Sequence, residues 1–394
     1  MGEKLFLFGC EESYFFRDGT PFTAGEDTFL PSGFPPSCNV MQGAVRTALM
    51  NGHGIDFAKY YEGYCNVCQV PAESCFVLRA VGSSKGGRED MELDFIGPFV
   101  TRETDEGIER LYQAPRDLVQ LEDQVELGRL MPSSEAILTD LGPTFLPQAD
   151  KRCRSLSETW ISEGGLLNYL RGMTVDLEQV YSSNDRFQRF MRREERLGIA
   201  RQQSTRATLP GMLYAIEHIR LGARFGLGVR VRGCPDAPVP DVVKLGGEGR
   251  CTSLRVQSTS PIPREGIAEA IDEGPGLFGE RGFKVVCMSP VRLGNGWLPE
   301  GFTKGRQDGG TFWEGVLAGI NCKLVSICSG RPIRIGGWDM ALRRPKPRLA
   351  YMPARTVYYF TTSHSGAEVV EGLHDSKIGF DTRIGFGHIV VGRW

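Results

Sequence analysis

Cys65-x2-Cys68, with Cys75 seven residues on and His53 upstream, offers three thiols and an imidazole, donors that suit Zn2+. A tight CxxC turn has the geometry of half a zinc site. Against it, Cys75 opens an apolar run that reads as a strand, where cysteine is commonly a small core residue. The spacing also matches no standard zinc pattern. These four residues stay open between ligand and core, and the expectation is that no metal and no other cofactor is bound.

Three further groups suit a sugar-phosphate chain. The first is Arg17 with the start of a helix at Ser37 to Arg46. A helix N-terminus presents unpaired N–H groups and partial positive charge to a phosphate. Ser37 or Asn39 could cap it, and Gln42 and Arg46, four residues apart, share its polar face. The alternative is that Arg17 and Asp18 pair with each other or shape a turn. The second group is the glycine-rich end, where Lys377, Arg383 and His388 lie among Gly379, Gly385 and Gly387. Backbone without side chains admits a close sugar-phosphate approach, and Phe380 and Phe386 could stack on unpaired bases. A structural hairpin with those aromatics in the core explains the same pattern. Gly246-Gly247-Glu248-Gly249 allows both readings, with the structural one favoured. The third group is Arg331, Arg334, Trp338, Arg343, Arg344, Lys346 and Arg348, basic residues around an aromatic, which equally suit an exposed solvated loop.

Catalytic patterns are absent from the sequence. It holds no Gly-Lys-Ser/Thr phosphate loop, no Gly-x-Ser-x-Gly elbow and no His-Glu-x-x-His helix. Asp27, Asp56 and Asp381 are scattered rather than clustered for two metals. A metal-independent ribonuclease can be imagined on His374 or His388 with Lys377 and Tyr358.

The elements that must position these groups are partly legible. Val40, Met41, Ala44, Val45, Ala48 and Leu49 repeat at helical spacing, the clearest helix in the chain. Strands are expected at Leu5–Phe8, Cys75–Val81, Leu93–Val100, Met212–Ile219, Phe225–Val231, Cys251–Val256, Phe283–Met288, Cys322–Cys328 and Val357–Thr361, with a brief helix at Gly165–Arg171. Ser258 to Pro263 reads as a linker, which divides the chain into 1–257, with an insertion around 52–180, and 258–394.

Composition bounds the class. The chain has 394 residues, 41% of them hydrophobic and 24% charged, enough for two or three compact units. Fifty residues are glycine, well above the usual share of roughly 7%. The net charge of −2 argues against a free-standing nucleic-acid binder. It is segregated, however: 85–141 is acidic, while 186–206 and 331–394 are basic. The arginines of 186–206 suit a basic strand pair, or an ordinary surface salt-bridged by Glu194 and Glu195. Eleven cysteines, no export signal and no long apolar run lead us to expect a cytoplasmic protein that does not enter a membrane.

Ordered blocks from residue 14 to the end resemble one family. They are Phe15-Phe16-Arg17-Asp18-Gly19-Thr20-Pro21-Phe22, Pro35 through Thr47, Gly97-Pro98-Phe99, Pro115-Arg116-Asp117-Leu118, Arg196-Leu197-Gly198-Ile199, Gly211-Met212-Leu213-Tyr214, Leu245-Gly246-Gly247-Glu248, Gly336-Gly337-Trp338-Asp339, Pro353 through Phe360, and Ile384-Gly385-Phe386-Gly387. The set is similar to CRISPR repeat-associated (RAMP) proteins, specifically the third-numbered subunit of Cmr, or type III-B, effector complexes. The family usually has Ala-Gly-Ser-Val-Tyr where this chain has Ala354-Arg355-Thr356-Val357-Tyr358, so Arg355 stands at a small-residue position. The resemblance implies an α+β fold of two ferredoxin-like (RRM-like) domains with large insertions. It implies a non-catalytic scaffold that holds the 5′ handle of the guide RNA (crRNA). Its partners would be the large polymerase/cyclase subunit and the RAMP backbone subunits, with target RNA met indirectly. The RNA contacts then expected are Arg17, Ser37, Asn39, Gln42, Arg46, Gly246, Gly247, Trp338, Lys377, Arg383, Gly385, Gly387 and His388. The alternative function is a metal-independent endoribonuclease that processes guide RNA.

Overall fold

The computed structural model describes residues 3–17, 29–83, 90–122, 127–183, 187–339 and 342–394. Asp18, Asp27, Arg186 and the stretch from Gly19 to Phe22 lie outside the described residues. The fold is mixed α+β and rich in strands, with short helices. Among the described residues no helix is long and apolar enough to cross a membrane.

The chain divides into two compact units, one of Met1–Ile108, Phe190–Thr259 and Arg334–Leu349, the other of Glu109–Arg189, Ser260–Ile333 and Ala350–Trp394. Membership changes at 108/109, 189/190, 259/260, 333/334 and 349/350. Segment 109–189 thus clusters with 260–333 and 350–394, and 334–349 with the first unit. Non-local packing sets these memberships, and no local composition signals them.

In the first unit the strands Asp94–Thr104, Phe225–Arg232, Lys4–Phe8 and Cys251–Ser258 lie side by side, every neighbour antiparallel. Numbered by sequence, their spatial order is 2-3-1-4. Leu5, Phe6, Leu7 and Phe8 are all buried, as a continuous apolar run at the centre of a sheet requires. Helix α1 (Cys38–Gly52) packs on Asp94–Thr104 and buries Met41, Ala44, Val45, Ala48 and Leu49. Two short helices follow, α2 (Phe57–Tyr61) and α3 (Phe76–Val81). The run Cys75–Val81 is therefore not a strand. Six apolar residues are too few for their period to separate strand from helix, and here Cys75 ends a tight turn and caps α3.

The second unit repeats the plan. Ile320–Cys328, Val357–Thr362, Arg281–Cys287 and His388–Arg393 form an antiparallel sheet, again in the sequence order 2-3-1-4. Helix Gly366–Leu373 joins its third and fourth strands and starts on a capping box of Ser365 and Glu368. Arg355 lies in the left-handed region, φ 73°. Its guanidinium donates to Ala114 O and Leu156 O at 2.5 and 2.6 Å, which satisfies a largely buried cation without a carboxylate. Burial, reinforced by Arg116, lowers its pKa to about 10.

The core of this unit holds an ion pair that no sequence pattern announces. Lys284 Nζ lies 3.5 Å from Asp117 Oδ2 and 3.4 Å from the centre of the Tyr169 ring, and both charged side chains are buried. The Tyr169 and Tyr359 hydroxyls donate to the same carboxylate at 2.5 and 3.1 Å. Burial lowers the Lys284 pKa from 10.5 to about 7, against the pull of Asp117. Between those values the unfolded chain binds the proton that the folded chain lacks, so this group's contribution to stability rises with pH across that window. Replacing either partner alone strands the other. Lys284→Met and Asp117→Asn should each destabilise the unit by roughly 3–5 kcal/mol. Thermal melts between pH 7 and pH 9 should show the pH-dependent rise shrink in Lys284→Met.

Gly387 provides a backbone test. Its φ is 74°, and a Cβ there would sit 1.9 Å from Ile378 O, whereas Gly319 at φ 89° meets nothing within 4 Å. Gly319→Ala should cost about 1–2 kcal/mol from its φ alone. Gly387→Ala should lower the melting temperature distinctly further in the same assay.

Candidate nucleic-acid interface

Ser37 stands at the N-cap of α1 in extended conformation, with no side-chain cap bond and no acidic residue in the first turn. Asn39 is not the cap. Its Nδ2 donates to Gly336 O at 3.0 Å, which ties the hairpin strand Ile333–Asp339 to the helix. Gln42 Nε2 donates to Asn39 O, and Arg46 donates to Gln42 Oε1 at 3.3 Å and to the Tyr60 hydroxyl at 3.2 Å. Tyr60 in turn donates to Gly82 O at 2.8 Å. Burial raises the Tyr60 pKa, opposed by Arg46. Among the described residues, Asn39 Oδ1 and Arg46 Nε are buried with no hydrogen-bond partner. The strip thus keeps one acceptor and one charged donor unspent. Arg17 is exposed and follows the buried Tyr14, Phe15 and Phe16.

Gly246 and Gly247 serve the chain's own backbone. Gly247 N donates to Phe15 O at 2.8 Å, and at Gly246, φ 84°, a Cβ would lie 2.6 Å from that same oxygen. The loop carries Glu248, whose Oε2 lies 3.2 Å from Nε2 of the buried His218. The other His218 nitrogen lies 3.1 Å from Ser13 Oγ, and Phe15 stacks on the ring. Burial and then Arg196 lower the His218 pKa. Sequence reasoning missed His218; strand alternation in 212–219 was the signal that would have placed it inside.

Two hairpins of the first unit carry exposed basic residues. Trp338 is 55% exposed on the strand Ile333–Asp339, which pairs with Arg344–Tyr351. Arg334, Arg343, Arg344 and Arg348 are exposed beside it in sequence. The other hairpin pairs Met191–Arg201 with Thr208–Leu221. Both readings of its arginines hold there. Glu194 takes Arg220 at 2.5 Å and Arg196 at 3.4 Å, and Arg193 pairs with Glu217. The Arg220 hydrogen bond is the main cause of a lowered Glu194 pKa.

The glycine-rich end of the second unit is mostly interior. His388 is 2% exposed, its Nε2 2.7 Å from Asp375 Oδ1 and its amide bonded to Ser289 Oγ. This corrects its expected place on an open loop: a buried imidazole beside a carboxylate keeps that bond in preference to a solvent-facing phosphate. Gly385 and Gly387 are buried as well, and Gly387 abuts Ile378 backbone. Phe386 is fully buried against Tyr351, ring centres 4.6 Å apart, and offers no face to a base. Lys377 Nζ is bonded to Thr382 O at 2.9 Å. Arg383 is exposed, as is Phe380, which lies under the Arg292 guanidinium at 4.4 Å. His374 is turned inward with Nε2 3.1 Å from Pro263 O, and burial lowers its pKa. His374 and His388 therefore do not assemble an acid–base pair at the surface of this unit.

Among curated proteins none matches the chain. Solved structures similar to it include a chain of "Type III-B Cmr-beta bound to cognate target RNA and AMPPnP", at 13% identity and a TM-score of 0.46, covering 99% of each chain. A chain of "Csm3-Csm4 subcomplex in the type III-A CRISPR-Cas interference complex" is similar at 9% identity and a TM-score of 0.33, covering 92% of this chain and 94% of that one. The model of the family described as CRISPR-associated protein (Cas_Cmr3) matches residues 11–394, nearly the whole length. The chain belongs to that CRISPR-associated family.

Proposed function

We propose that this chain is a non-catalytic, RNA-holding subunit of a type III-B (Cmr) CRISPR effector complex, and that it grips the 5′ handle of the guide RNA. The carrying observation is the strip on α1: an acid-free helix start with Asn39, Gln42 and Arg46 aligned and two of their polar atoms buried without partners. Such groups are costly to leave unsatisfied, and a rotation of the half-buried Asn39 and Arg46 side chains would bring them to a phosphate and to a base or sugar hydroxyl. Arg17 adds charge from the same unit, and Trp338 a stacking face on the strand that Asn39 holds. Family membership and the 2-3-1-4 strand order of each unit support two ferredoxin-like domains and the company of other effector subunits, among them the large polymerase/cyclase subunit and the RAMP backbone. Target RNA is then met only through the guide. The acidic 85–141 segment faces solvent or a basic partner in this reading. Gly246, Gly247, Gly385, Gly387, Lys377 and His388 act as supports, and Arg383 is the exposed cation of the carboxy-terminal end.

Arg17→Ala with Arg46→Ala, in the assembled complex, should weaken handle RNA binding at least about tenfold and flatten its dependence on salt by roughly two phosphate contacts. Trp338→Ala should weaken it by the ~1–3 kcal/mol of one stacked base. Filter binding over a salt series measures both. Unchanged affinity and slope in the double variant would remove α1 from the RNA interface.

A further inference from the structure

The four residues left open at the level of sequence converge in the fold. The ligand atoms of His53, Cys65, Cys68 and Cys75 all lie within 4.8 Å of one another. Cys68 Sγ is 3.7 Å from Cys75 Sγ and 3.6 Å from His53 Nε2, and Cys75 Sγ is 3.9 Å from the same nitrogen. A tetrahedral Zn2+ with ordinary bond lengths sets its sulfurs about 3.8 Å apart and sulfur from nitrogen about 3.6 Å. The three distances sit within a few tenths of an ångström of those values. We propose that these residues form a closed Cys3His site for one structural Zn2+ ion.

The local fold is built to deliver each ligand. His53 closes α1, and its ring meets the edge of Phe76 at 5.0 Å. Cys65 and Cys68 flank the turn between the strands Tyr64–Cys65 and Val70–Pro71, where Gln69 takes a φ of 58° and its amide returns to Cys65 O. The Cys68 amide donates to Cys65 Sγ at 3.3 Å, which holds that sulfur inside the turn. Asn66 fastens the turn to the chain after His53, accepting from Asp56 N at 2.7 Å and donating to Gly54 O at 3.0 Å. Cys75 is placed by the turn Ala72–Ser74.

Core packing does not account for the cluster. Cys68 is exposed, and all eleven cysteines of the chain are free thiols. The segment has little else to hold it: α2 and α3 are five and six residues long, and the hairpin strands two each. Elements this short do not stand on their own, and a metal that ties them together supplies folding free energy directly. Four protein ligands leave no open position, so the ion would be structural and not catalytic. A donor set of three thiolates and an imidazole selects zinc over the harder magnesium and calcium.

The test is metal content of the full chain, purified untagged and under reduction from zinc-supplemented cells. About one zinc per chain is expected, falling below about a tenth in Cys68→Ser and His53→Ala. Cys10→Ser and Cys251→Ser, outside the cluster, should retain it. If the cluster variants fail to fold, cobalt(II) added to the metal-stripped parent decides: thiolate charge-transfer and intense tetrahedral d–d bands support the site. Parent protein with under a tenth of an equivalent of zinc and no such cobalt spectrum overturns it. Zinc retained in folded His53→Ala and Cys68→Ser proteins overturns it equally.

Discussion

The first unit hangs on the way α1 is seated. Met41, Ala44, Val45, Ala48 and Leu49 are each buried, and a helix of this length depends on that contact more than on its own propensity. Once the apolar stripe is fixed to the sheet, the remaining faces are fixed too. At about 100° per residue, Asn39, Gln42, Arg46 and His53 fall within a narrow sector. One helix therefore carries the polar strip near its start and His53, beside the cysteine cluster, at its end. Tyr60 couples the two, because it donates to Gly82 O and accepts from Arg46 within the same segment that carries the cluster.

Both units bury charge, and the second does so in its core. Asp117 with Lys284 and Asp375 with His388 place titratable groups inside the fold, each with defined partners. Such pairs add little net stability against an apolar core, yet removing one member leaves a charge that the interior cannot solvate. They fix which residues may face inward. This is why His388, attractive in sequence as a basic residue among glycines, is unavailable at the surface: its carboxylate partner is thirteen positions away along the chain and adjacent in space.

Much of the fold was legible. The apolar runs at 5–8, 225–231 and 357–361 are strands because continuous burial in a sheet demands them, and the 3.6-residue period at 40–49 is α1. What stayed hidden is non-local. Asn39 reads as a helix cap until Gly336, almost three hundred positions on, claims its side chain. The hairpin at 333–351 carries no mark that most of it belongs to the first unit. Cys75 reads in sequence as the first residue of a strand; the three-residue turn before it directs its thiol toward Cys68 and His53.

The glycine content has a structural explanation that also sharpens the functional one. At Gly246 a side chain would strike Phe15 O, and at Gly387 it would strike Ile378 O. In both cases the close approach that glycine permits is taken up by the chain's own backbone, leaving no bare backbone shelf at those points for a sugar-phosphate strand. At Gly246 and Gly387 the glycine is thus a joint between packed segments. In the proposed function recognition falls to side chains that these joints hold in place, and on α1 a half-buried arginine, two unsatisfied polar atoms and a rigid support coincide.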